Sequence, residues 1–242
     1  MLEKIKEFQL SILGLCLALG IIIAAVVVTN NMSKNAISVT GSAYKIVNSD
    51  SASWRFNLTN QAVNKTEAYK LIQKQMPVVK DYLKEKGINE KDIELLLPEG
   101  YEIYRTYPNG YSSNEVIAYK YTQPIKIKSN DVEKIKEIST ESQTLLEKGI
   151  NINSYSDPEY QYSDLASLKV QLLEEATKDA KARANSMLKA NRNRVGQIKQ
   201  VRMGVFQITA PDSNSVSDEG INDSSTIEKK VTAVANVTFS IK

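Results

Sequence analysis

The sequence predicts an α+β fold that follows a single N-terminal transmembrane helix. Three observations support this prediction: an uncharged apolar stretch over 10–28, several segments in which apolar and polar residues alternate, and three longer segments with apolar residues three and four positions apart. Alternation is typical of strands, and the wider spacing is typical of amphipathic helices. We therefore expect antiparallel sheet packed by three helices.

The apolar stretch over 10–28 contains 19 residues without a charge. As a helix it extends about 28 Å, close to the roughly 30 Å thickness of the hydrocarbon layer of a bilayer. A cleaved signal peptide is the alternative, but its apolar region is normally shorter and ends at small residues, whereas this stretch ends in Val26-Val27-Val28. The sequence thus predicts an uncleaved signal anchor within the lipid bilayer, with Cys16 inside the span.

The lysines near this stretch predict its orientation. Lys4 and Lys6 precede it, and Lys34 is the nearest cation after it. The positive-inside rule then places the N-terminus in the cytoplasm and the larger part of the chain in the cell envelope, outside the membrane. The predicted organisation is a cytoplasmic segment over 1–9, a transmembrane helix over 10–28, a tether over 29–36 and an extracytoplasmic domain over 37–242.

Composition argues against several functional classes. There are 31 basic and 28 acidic residues, a net charge of +3, and the basic residues are spread along the chain, so nucleic-acid binding is not predicted. The chain has no histidine and one cysteine, which removes histidine-dependent catalysis and histidine-ligated zinc. It also lacks a glycine-rich phosphate loop. We expect no enzymatic activity, no cofactor and no metal.

The first half of the domain begins with two strands and a helix. Alternation predicts strands over 37–43 and 52–58. Asn64 and the glutamate three residues later form a capping-box pattern at the start of the first helix. Pro77 lies inside the apolar stripe and predicts a bend or an interruption, and Gly87 ends the helix.

A hairpin follows, with strands around 93–106 and 115–127 joined by the tight-turn sequence Pro108-Asn109-Gly110. Tyrosines are frequent in both strands. Aromatic residues on a hairpin commonly pack across strands, but they also form ligand-binding platforms. The candidate aromatic surface consists of Trp54, Tyr101, Tyr104 and Tyr119.

The second helix begins with the pattern Asn130-Asp-Val-Glu133 and ends at Gly149. Its exit resembles that of the first helix, because 83–89 and 145–151 both contain Leu, then Glu-Lys-Gly-Ile-Asn. This repeat predicts two related helix-to-strand units. The alternative, that the repeat is only a common helix exit, stays open.

The longest helix is predicted over 164–191, followed by strands over 196–208 and 227–241. The loop over 211–225 is long enough to indicate a function or disorder. The predicted buried stripe of the helix consists of Leu165, Leu168, Leu172, Ala176, Ala180, Ala184 and Met187. The predicted inward positions of the last strand are Val231, Ala233, Ala235, Val237 and Phe239.

Several of these segments together resemble the bacterial SIMPL-domain family. They are Ile37-Ser-Val-Thr-Gly41, Glu175-Ala-Thr-Lys-Asp-Ala-Lys-Ala-Arg-Ala184, Gly204-Val-Phe-Gln-Ile-Thr209, Ser217-Asp-Glu-Gly-Ile-Asn-Asp-Ser-Ser225 and Ile227-Glu-Lys-Lys-Val-Thr-Ala-Val234. The resemblance implies an α+β domain of the cell envelope that self-associates and has no established catalytic activity. It supplies no catalytic residues. Ala190-Asn191 departs from the glycine that relatives usually have at the end of the long helix.

The leading functional hypothesis is a non-catalytic, membrane-anchored binding or scaffold module. It would act through homo-oligomer formation or by capturing an envelope protein or a wall polymer, and the last strands could pair between subunits. The long loop is the predicted interaction site. Its candidate residues are Asp212, Ser217, Asp218, Gly220, Asn222, Asp223 and Ser225.

Two other functions stay open. One is an enzyme that acts on a cell-wall polymer with Asp218 and Asp223 as acid and base, which requires two carboxyl groups about 5–10 Å apart beside a cleft. The other is a polysaccharide or small-ligand binder that uses Trp54 and the hairpin tyrosines, and it requires those rings to be exposed.

Overall fold

The computed structural model describes the backbone of residues 2–33, 35–154 and 156–242, and the side chains of 12–28, 35–154 and 156–242. The chain is α+β. Its helices are α1 Leu2–Ser33, α2 Lys65–Glu85, α3 Val132–Glu141, α4 Thr144–Glu147 and α5 Leu165–Lys189. Its strands are β1 Ala36–Asn48, β2 Ser51–Ala62, β3 Ile93–Leu95, β4 Glu99–Thr106, β5 Ser112–Ser129, β6 Ile152–Asn153, β7 Glu159–Gln161, β8 Val195–Met203, β9 Gln207–Thr209, β10 Ile221–Asn222 and β11 Glu228–Ile241.

Helix α1 covers the apolar stretch near the N-terminus, and its side chains over 12–28, including Cys16, are exposed. A helix that crosses a bilayer needs about 20 consecutive apolar residues. Within the described part of the chain, no helix meets the requirement for both length and apolarity. This finding contradicts the transmembrane helix predicted over 10–28 and the single-pass membrane localisation that was derived from it.

Helix α1 continues to Ser33 and β1 begins at Ala36, so most of the predicted tether over 29–36 is helical. Lys34 lies outside the described residues, as do the side chains of the predicted cytoplasmic segment 1–9.

The chain forms two compact units. The first contains Met1–Tyr44, Leu168–Phe206 and Thr232–Lys242. The second contains Lys45–Ser167 and Gln207–Val231. Both units are therefore assembled from segments that are distant in the sequence.

In the first unit, β11 lies between β1 and β8. β8 is antiparallel to β11, with Val201 opposite Val237. On the other side, the hydroxyls of Ser38 and Thr238 are 2.8 Å apart. The alternation predicted for the last strand is confirmed: its inward positions from Ala233 to Phe239 are at most 1% exposed.

Gly41 shows how closely α5 approaches the sheet of the first unit. A Cβ atom at this position would collide with the carbonyl oxygen of Ala176 and lie 2.8 Å from the Cα of Ala180. The backbone N–H of Ser42 donates to a carboxylate oxygen of Asp179 on the same helix, at 2.9 Å. The alanines of α5 and the glycine of β1 thus allow helix and strand backbones to meet.

In the second unit, β2 and β5 form the centre of a six-stranded sheet with the order β3-β5-β2-β6. They pair antiparallel from Ala52↔Ser129 to Ala62↔Tyr119. β4 extends the sheet beside β5, and β7 lies beside β2. Helices α2 and α3 pack against β2 and β5.

The core of the second unit consists of buried side chains from these strands and helices. It includes Trp54, Phe56, Leu58, Ile72, Val79, Leu83, Ile125, Ile127, Ile135, Ile138 and Leu145. Phe56 and Trp54 stack with their ring centroids 4.7 Å apart. Burial of so many large apolar side chains supplies most of the driving force for folding of this unit.

The two repeated helix exits have the same geometry. Gly87 and Gly149 have φ angles of +79° and +71°. The N–H of Ile88 donates to the carbonyl of Leu83 at 2.9 Å, and Ile150 makes the equivalent bond to Leu145 at 3.0 Å. Both isoleucines are 3% exposed. This is the Schellman arrangement, in which a left-handed glycine lets the next residue fold back onto the last turn.

Helix α2 begins at the predicted cap, since Asn64 accepts from the N–H of Glu67 at 2.8 Å. Of the bend or interruption predicted near Pro77, the interruption does not occur, because α2 continues through this residue to Glu85. Pro77 and Gln73 are exposed. The carbonyl of Gln73, which loses its partner because proline has no N–H, can therefore be hydrated.

The second predicted helix is divided into α3 and α4, and its cap is Asp131 rather than Asn130. The division follows a run of hydroxyl residues that bond backbone carbonyls, such as Ser142 Oγ to the carbonyl of Ser139 at 2.8 Å. Two predicted strands are also divided. Pro98 separates β3 from β4, and a break at 204–206 separates β8 from β9.

The buried stripe of α5 is confirmed from Leu168 to Ala184, but Met187 is 57% exposed and Leu188 is buried in its place. Leu188 follows Ala184 by four residues, and Met187 follows Ala184 by three. In a helix with about 3.6 residues per turn, the step of four ends nearer the buried face. The end of this helix differs from a glycine exit, as expected. Arg192 has a φ of +59°, and Asn193 donates to the carbonyl of Leu188 at 3.1 Å.

Candidate functional site

The predicted interaction loop over 211–225 is ordered by a short parallel pairing in the second unit. β10 pairs with β9, so that Ile221 lies opposite Gln207 and Asn222 opposite Ile208. Gly220 precedes β10 with a φ of +89°, a conformation that favours glycine. The loop therefore returns to the sheet instead of extending freely.

Gln207 holds the turn of this loop and is 8% exposed. Its amide oxygen accepts from the N–H of Ile221 at 3.0 Å and from that of Ser217 at 3.3 Å. Its amide nitrogen donates to the carbonyl of Ser217 at 2.7 Å. One buried side chain thus satisfies three backbone groups of the loop.

Asp223 follows β10 and accepts several hydrogen bonds. Its Oδ1 accepts from the N–H of Ser225 at 2.9 Å and from the Ser225 hydroxyl at 2.7 Å. Its Oδ2 accepts from the hydroxyl of Thr226. These donors fix the carboxylate in one orientation.

Lys229 lies at the start of β11 and is 3% exposed. Its Nζ donates to the carbonyls of Asp223 and Thr226, both at 2.7 Å. The Oδ2 of Asp223 is 3.9 Å from Nζ, within ion-pair range but beyond hydrogen-bond distance. A buried ammonium is thus neutralised by a neighbouring carboxylate and held by two backbone carbonyls.

The environment shifts the pKa of both groups. For Asp223, burial favours the neutral acid, but the hydrogen bonds from Ser225 and Thr226 and the charge of Lys229 outweigh it and lower the pKa to about 2. For Lys229, burial lowers the pKa below its ordinary value, and the Asp223 carboxylate opposes that shift. Asp223 is therefore an ionised carboxylate at neutral pH.

A cavity of about 220 Å³ lies against this pair, within the second unit. Its apolar wall comes from Leu165, Ile208 and Val231. The remainder of its lining consists of Tyr160, Gln161, Tyr162, Asn222, Asp223, Ser224 and Lys229. An apolar wall combined with a few convergent polar groups is typical of a binding site for a small ligand.

The structure brings together only part of the predicted interaction loop. Asn222 and Asp223 line the cavity, and Ser225 orients Asp223. Ser217 and Gly220 belong to the turn held by Gln207. Asp212 and Asp218 are exposed and do not line the cavity. The carboxylate pair considered for an enzyme, Asp218 and Asp223, therefore does not share this cavity.

The predicted aromatic surface does not form as a unit. Trp54 is 4% exposed, lies in the core and donates from Nε1 to the hydroxyl of Ser154 at 3.1 Å. Tyr119 is half-buried. Tyr101 and Tyr104 are exposed on β4, where their phenols donate to the carboxylates of glutamates two residues earlier. Alternation on β2 places Trp54 with the other inward side chains.

The strand β4 forms a free edge of the sheet in the second unit. Among the described strands it pairs only with β5. The pairing of β5 with β2 ends at Tyr119, so the hairpin beyond that point consists of two strands. Nearly every side chain of β4 is exposed. A two-stranded hairpin is marginally stable alone, and a strand at the edge of a sheet can act as a template for another strand.

The strand β8 forms a free edge in the first unit, since β11 is its only partner in the described part of the chain. Seven of its nine residues are exposed. Three of these are apolar: Ile198, Val201 and Met203, which are 51%, 45% and 61% exposed. Exposed apolar side chains on a free edge are typical of an interaction surface.

Sequence reasoning did not identify Gln207 or Lys229. A signal for Lys229 was present, since it stands two residues before Val231 and so on the inward face of an alternating strand. A charged residue at an inward position needs a partner, and the nearby Asp223 supplies one. No comparable pattern marks Gln207, because its role depends on where the loop returns.

Comparison with curated proteins found no match for this chain. A family model does match: SIMPL, described as a protein of unknown function (DUF541), over residues 37–239. The match covers most of the chain, from the second residue of β1 to Phe239 in β11, and includes the hairpin, α5 and the interaction loop. It agrees with the resemblance seen in the sequence motifs, and the chain therefore belongs to the SIMPL (DUF541) family.

Proposed function

We propose that this protein is a non-catalytic binding module that associates with further copies of itself, with β4 of one copy pairing beside β8 of the next. The observation that carries the proposal is the presence of two exposed strand edges with opposite charge. Strand addition at a free edge uses backbone hydrogen bonds for affinity and side chains for specificity.

The apolar side chains on β8 supply the first argument. Ile198, Val201 and Met203 remain largely exposed when the chain is alone. Pairing with a second copy removes part of this apolar area from water, at roughly 25 cal/mol per Å². On β4, the exposed rings of Tyr101 and Tyr104 offer comparable apolar area with polar ends, as is typical of protein interfaces.

Charge supplies the second argument. β4 carries Glu99, Glu102 and Arg105, two acidic residues and one basic residue, for a net charge of −1. β8 carries Lys199 and Arg202, for a net charge of +2. Opposite charges on adjacent strands stabilise a pair, whereas like charges destabilise it. Charge thus favours β4 beside β8 over two copies of β8 beside each other.

Pairing of two different edges is a heterologous contact, because each copy uses one edge toward each neighbour. Such contacts form rings when the rotation between copies closes and filaments when it does not. In solution we expect an assembly whose mass corresponds to several copies of the chain.

The experiment is a charge reversal measured by sedimentation velocity on the full chain. We expect Glu99→Lys with Glu102→Lys, and separately Lys199→Glu with Arg202→Glu, each to weaken association by about tenfold or more, since every cross-strand charge pair contributes up to about 1 kcal/mol. An equimolar mixture of the two variants restores complementary edges and should recover association. A chain that carries all four substitutions should recover it as well.

Two further variants, one a test and one a control, separate this surface from others. Val201→Glu places a charge on the β8 edge and should abolish association, while Val170→Glu, at an exposed position of α5, should leave it unchanged. Association through the exposed apolar side chains of α1 would not respond to either charge reversal. A wild-type chain that stays monomeric at high concentration would contradict the proposal.

A further inference from the structure

Lys229 has hydrogen-bonding capacity that the described residues do not use. Its ammonium carries three N–H groups, and two of them donate to the carbonyls of Asp223 and Thr226 at 2.7 Å. The Asp223 carboxylate, at 3.9 Å, is too far to accept the third. Because Lys229 is 3% exposed, bulk water has little access to that third N–H.

The cavity of about 220 Å³ is lined in part by Lys229. An apolar cavity of about 150 Å³ can hold a molecule the size of benzene, so this one accepts a ligand of slightly more than six heavy atoms. The side chains of Leu165, Ile208 and Val231 offer apolar contact to most of such a ligand.

The charge of the site limits the class of ligand. Lys229 and Asp223 already form a neutral pair. The carboxylate is occupied by the donors of Ser225 and Thr226 and so has little remaining demand for a ligand donor. A second anion would place an uncompensated charge beside Asp223 in a partly buried space, at a desolvation cost. A neutral acceptor satisfies the ammonium without that cost.

We propose that this cavity binds a small neutral molecule with a carbonyl oxygen and a compact apolar group. The carbonyl oxygen accepts the third N–H of Lys229, and the apolar group lies against Leu165, Ile208 and Val231. No residue of this site belongs to β4 or β8. A negative result for ligand binding therefore does not bear on the proposed self-association.

The experiment uses ligand-observed saturation-transfer NMR on the full chain with two probes of the same shape, isobutyramide and isobutyrate. We expect saturable binding of the amide and at least about tenfold weaker binding of the carboxylate. Lys229→Met should weaken binding of the amide by about tenfold or more, which is the usual effect of a lost hydrogen bond to a charged group.

Because Lys229→Met removes a buried group, its folding is checked by circular dichroism, and a second variant keeps the test decisive. Ile208→Phe fills the cavity and leaves Lys229 in place, so it should abolish binding of isobutyramide. Val216→Phe, at an exposed position of the same loop, is the matched control and should bind normally. Three results would each overturn the proposal: no saturable binding of isobutyramide, tighter binding of isobutyrate, or normal binding by Ile208→Phe.

Discussion

Lys229 and Asp223 depend on each other, because each is a charged group in a site with little water. The side chains are 4% and 17% exposed. An isolated ion in such a site has a large desolvation cost, and the partner together with the surrounding hydrogen bonds offsets it. The pair therefore fixes the start of β11 against the end of the interaction loop.

The first prediction concerns this pair and uses a double-mutant cycle. Asp223→Asn leaves a buried ammonium without its carboxylate and should lower the free energy of unfolding by about 3 kcal/mol. Lys229→Met leaves two buried carbonyls without a donor and should lower it by about 2 kcal/mol. Each single substitution also leaves the other residue without its partner. We therefore expect the loss of stability in the double variant to be smaller than the sum of the two single losses by at least about 1 kcal/mol. Urea unfolding of the four proteins measures these values, and additive losses would contradict the coupling.

The second prediction is a dependence of stability on pH. The pKa of Asp223 is about 2 in the folded chain, against an ordinary value of 3.8. A folded pKa below the unfolded one means that the ionised carboxylate stabilises the fold above about pH 4, and that this contribution is lost as the pH falls toward 2. The difference corresponds to about 2 kcal/mol.

Urea unfolding at about pH 6 and about pH 3 tests this dependence. Asp223→Asn should lose less stability between the two pH values than the wild type does. Asp218→Asn, which removes an exposed carboxylate from the same loop, is the control and should keep the wild-type dependence. An equal loss in Asp223→Asn and in the wild type would exclude Asp223 as the source.

At the scale of elements, the close approach of α5 to β1 in the first unit depends on Gly41. Gly41→Ala brings a Cβ atom into the backbone of Ala176 and Ala180, and backbone atoms cannot yield as a flexible side chain does. We expect a loss of about 3 kcal/mol in the free energy of unfolding, the upper end of overpacking effects.

Gly204→Ala is the matched control for this prediction. A Cβ at Gly204 would lie 3.5 Å from its nearest neighbour, Val234, which is ordinary van der Waals contact. Thermal unfolding of both variants is the measurement. Equal melting temperatures for the two would show that helix and strand can separate without cost.

Elements with a clear period were predictable from the sequence, and divisions within them were not. β11 followed directly from alternation, because every second residue from Val231 to Phe239 is buried. The exits at Gly87 and Gly149 followed from a local motif whose hydrogen bonds are all short-range. The separation of β8 from β9 depends on partners far away in the sequence, which a local pattern cannot show.

The sequence correctly predicted that α1 is a helix. The prediction that this helix spans a membrane is contradicted. The helix was predicted because 19 consecutive residues over 10–28 carry no charge and contain no proline. A membrane span has a further requirement for length and apolarity, which no helix in the described residues meets.

The candidate site was predicted only in part, because its residues are distant from one another in the sequence. The long loop drew attention to Asn222 and Asp223, but the groups that give them a role lie elsewhere in the sequence. Lys229 comes from the last strand, and Tyr160 comes from a short strand more than 60 residues earlier. The return of the loop to β9 creates the cavity, and no spacing in the sequence encodes that return.

At the scale of the whole molecule, the central claim is that two exposed strand edges of opposite charge join copies of this chain. Each compact unit contributes one of them: β4 in the second unit and β8 in the first. Natural proteins usually cover or blunt such edges, because unpaired backbone groups promote association. Here the apolar side chains of β8 are left exposed, which is expected when a second chain covers them.

Hydrogen–deuterium exchange at low and high protein concentration tests this claim most directly, because it reads the backbone amides that a new strand would engage. We predict that amides of β4 and β8 become protected as concentration rises, while those of α2 and the interior strand β11 stay unchanged. Protection should disappear in Lys199→Glu with Arg202→Glu. Exchange at β4 and β8 that does not change with concentration, in a chain whose mass does increase, would contradict the account.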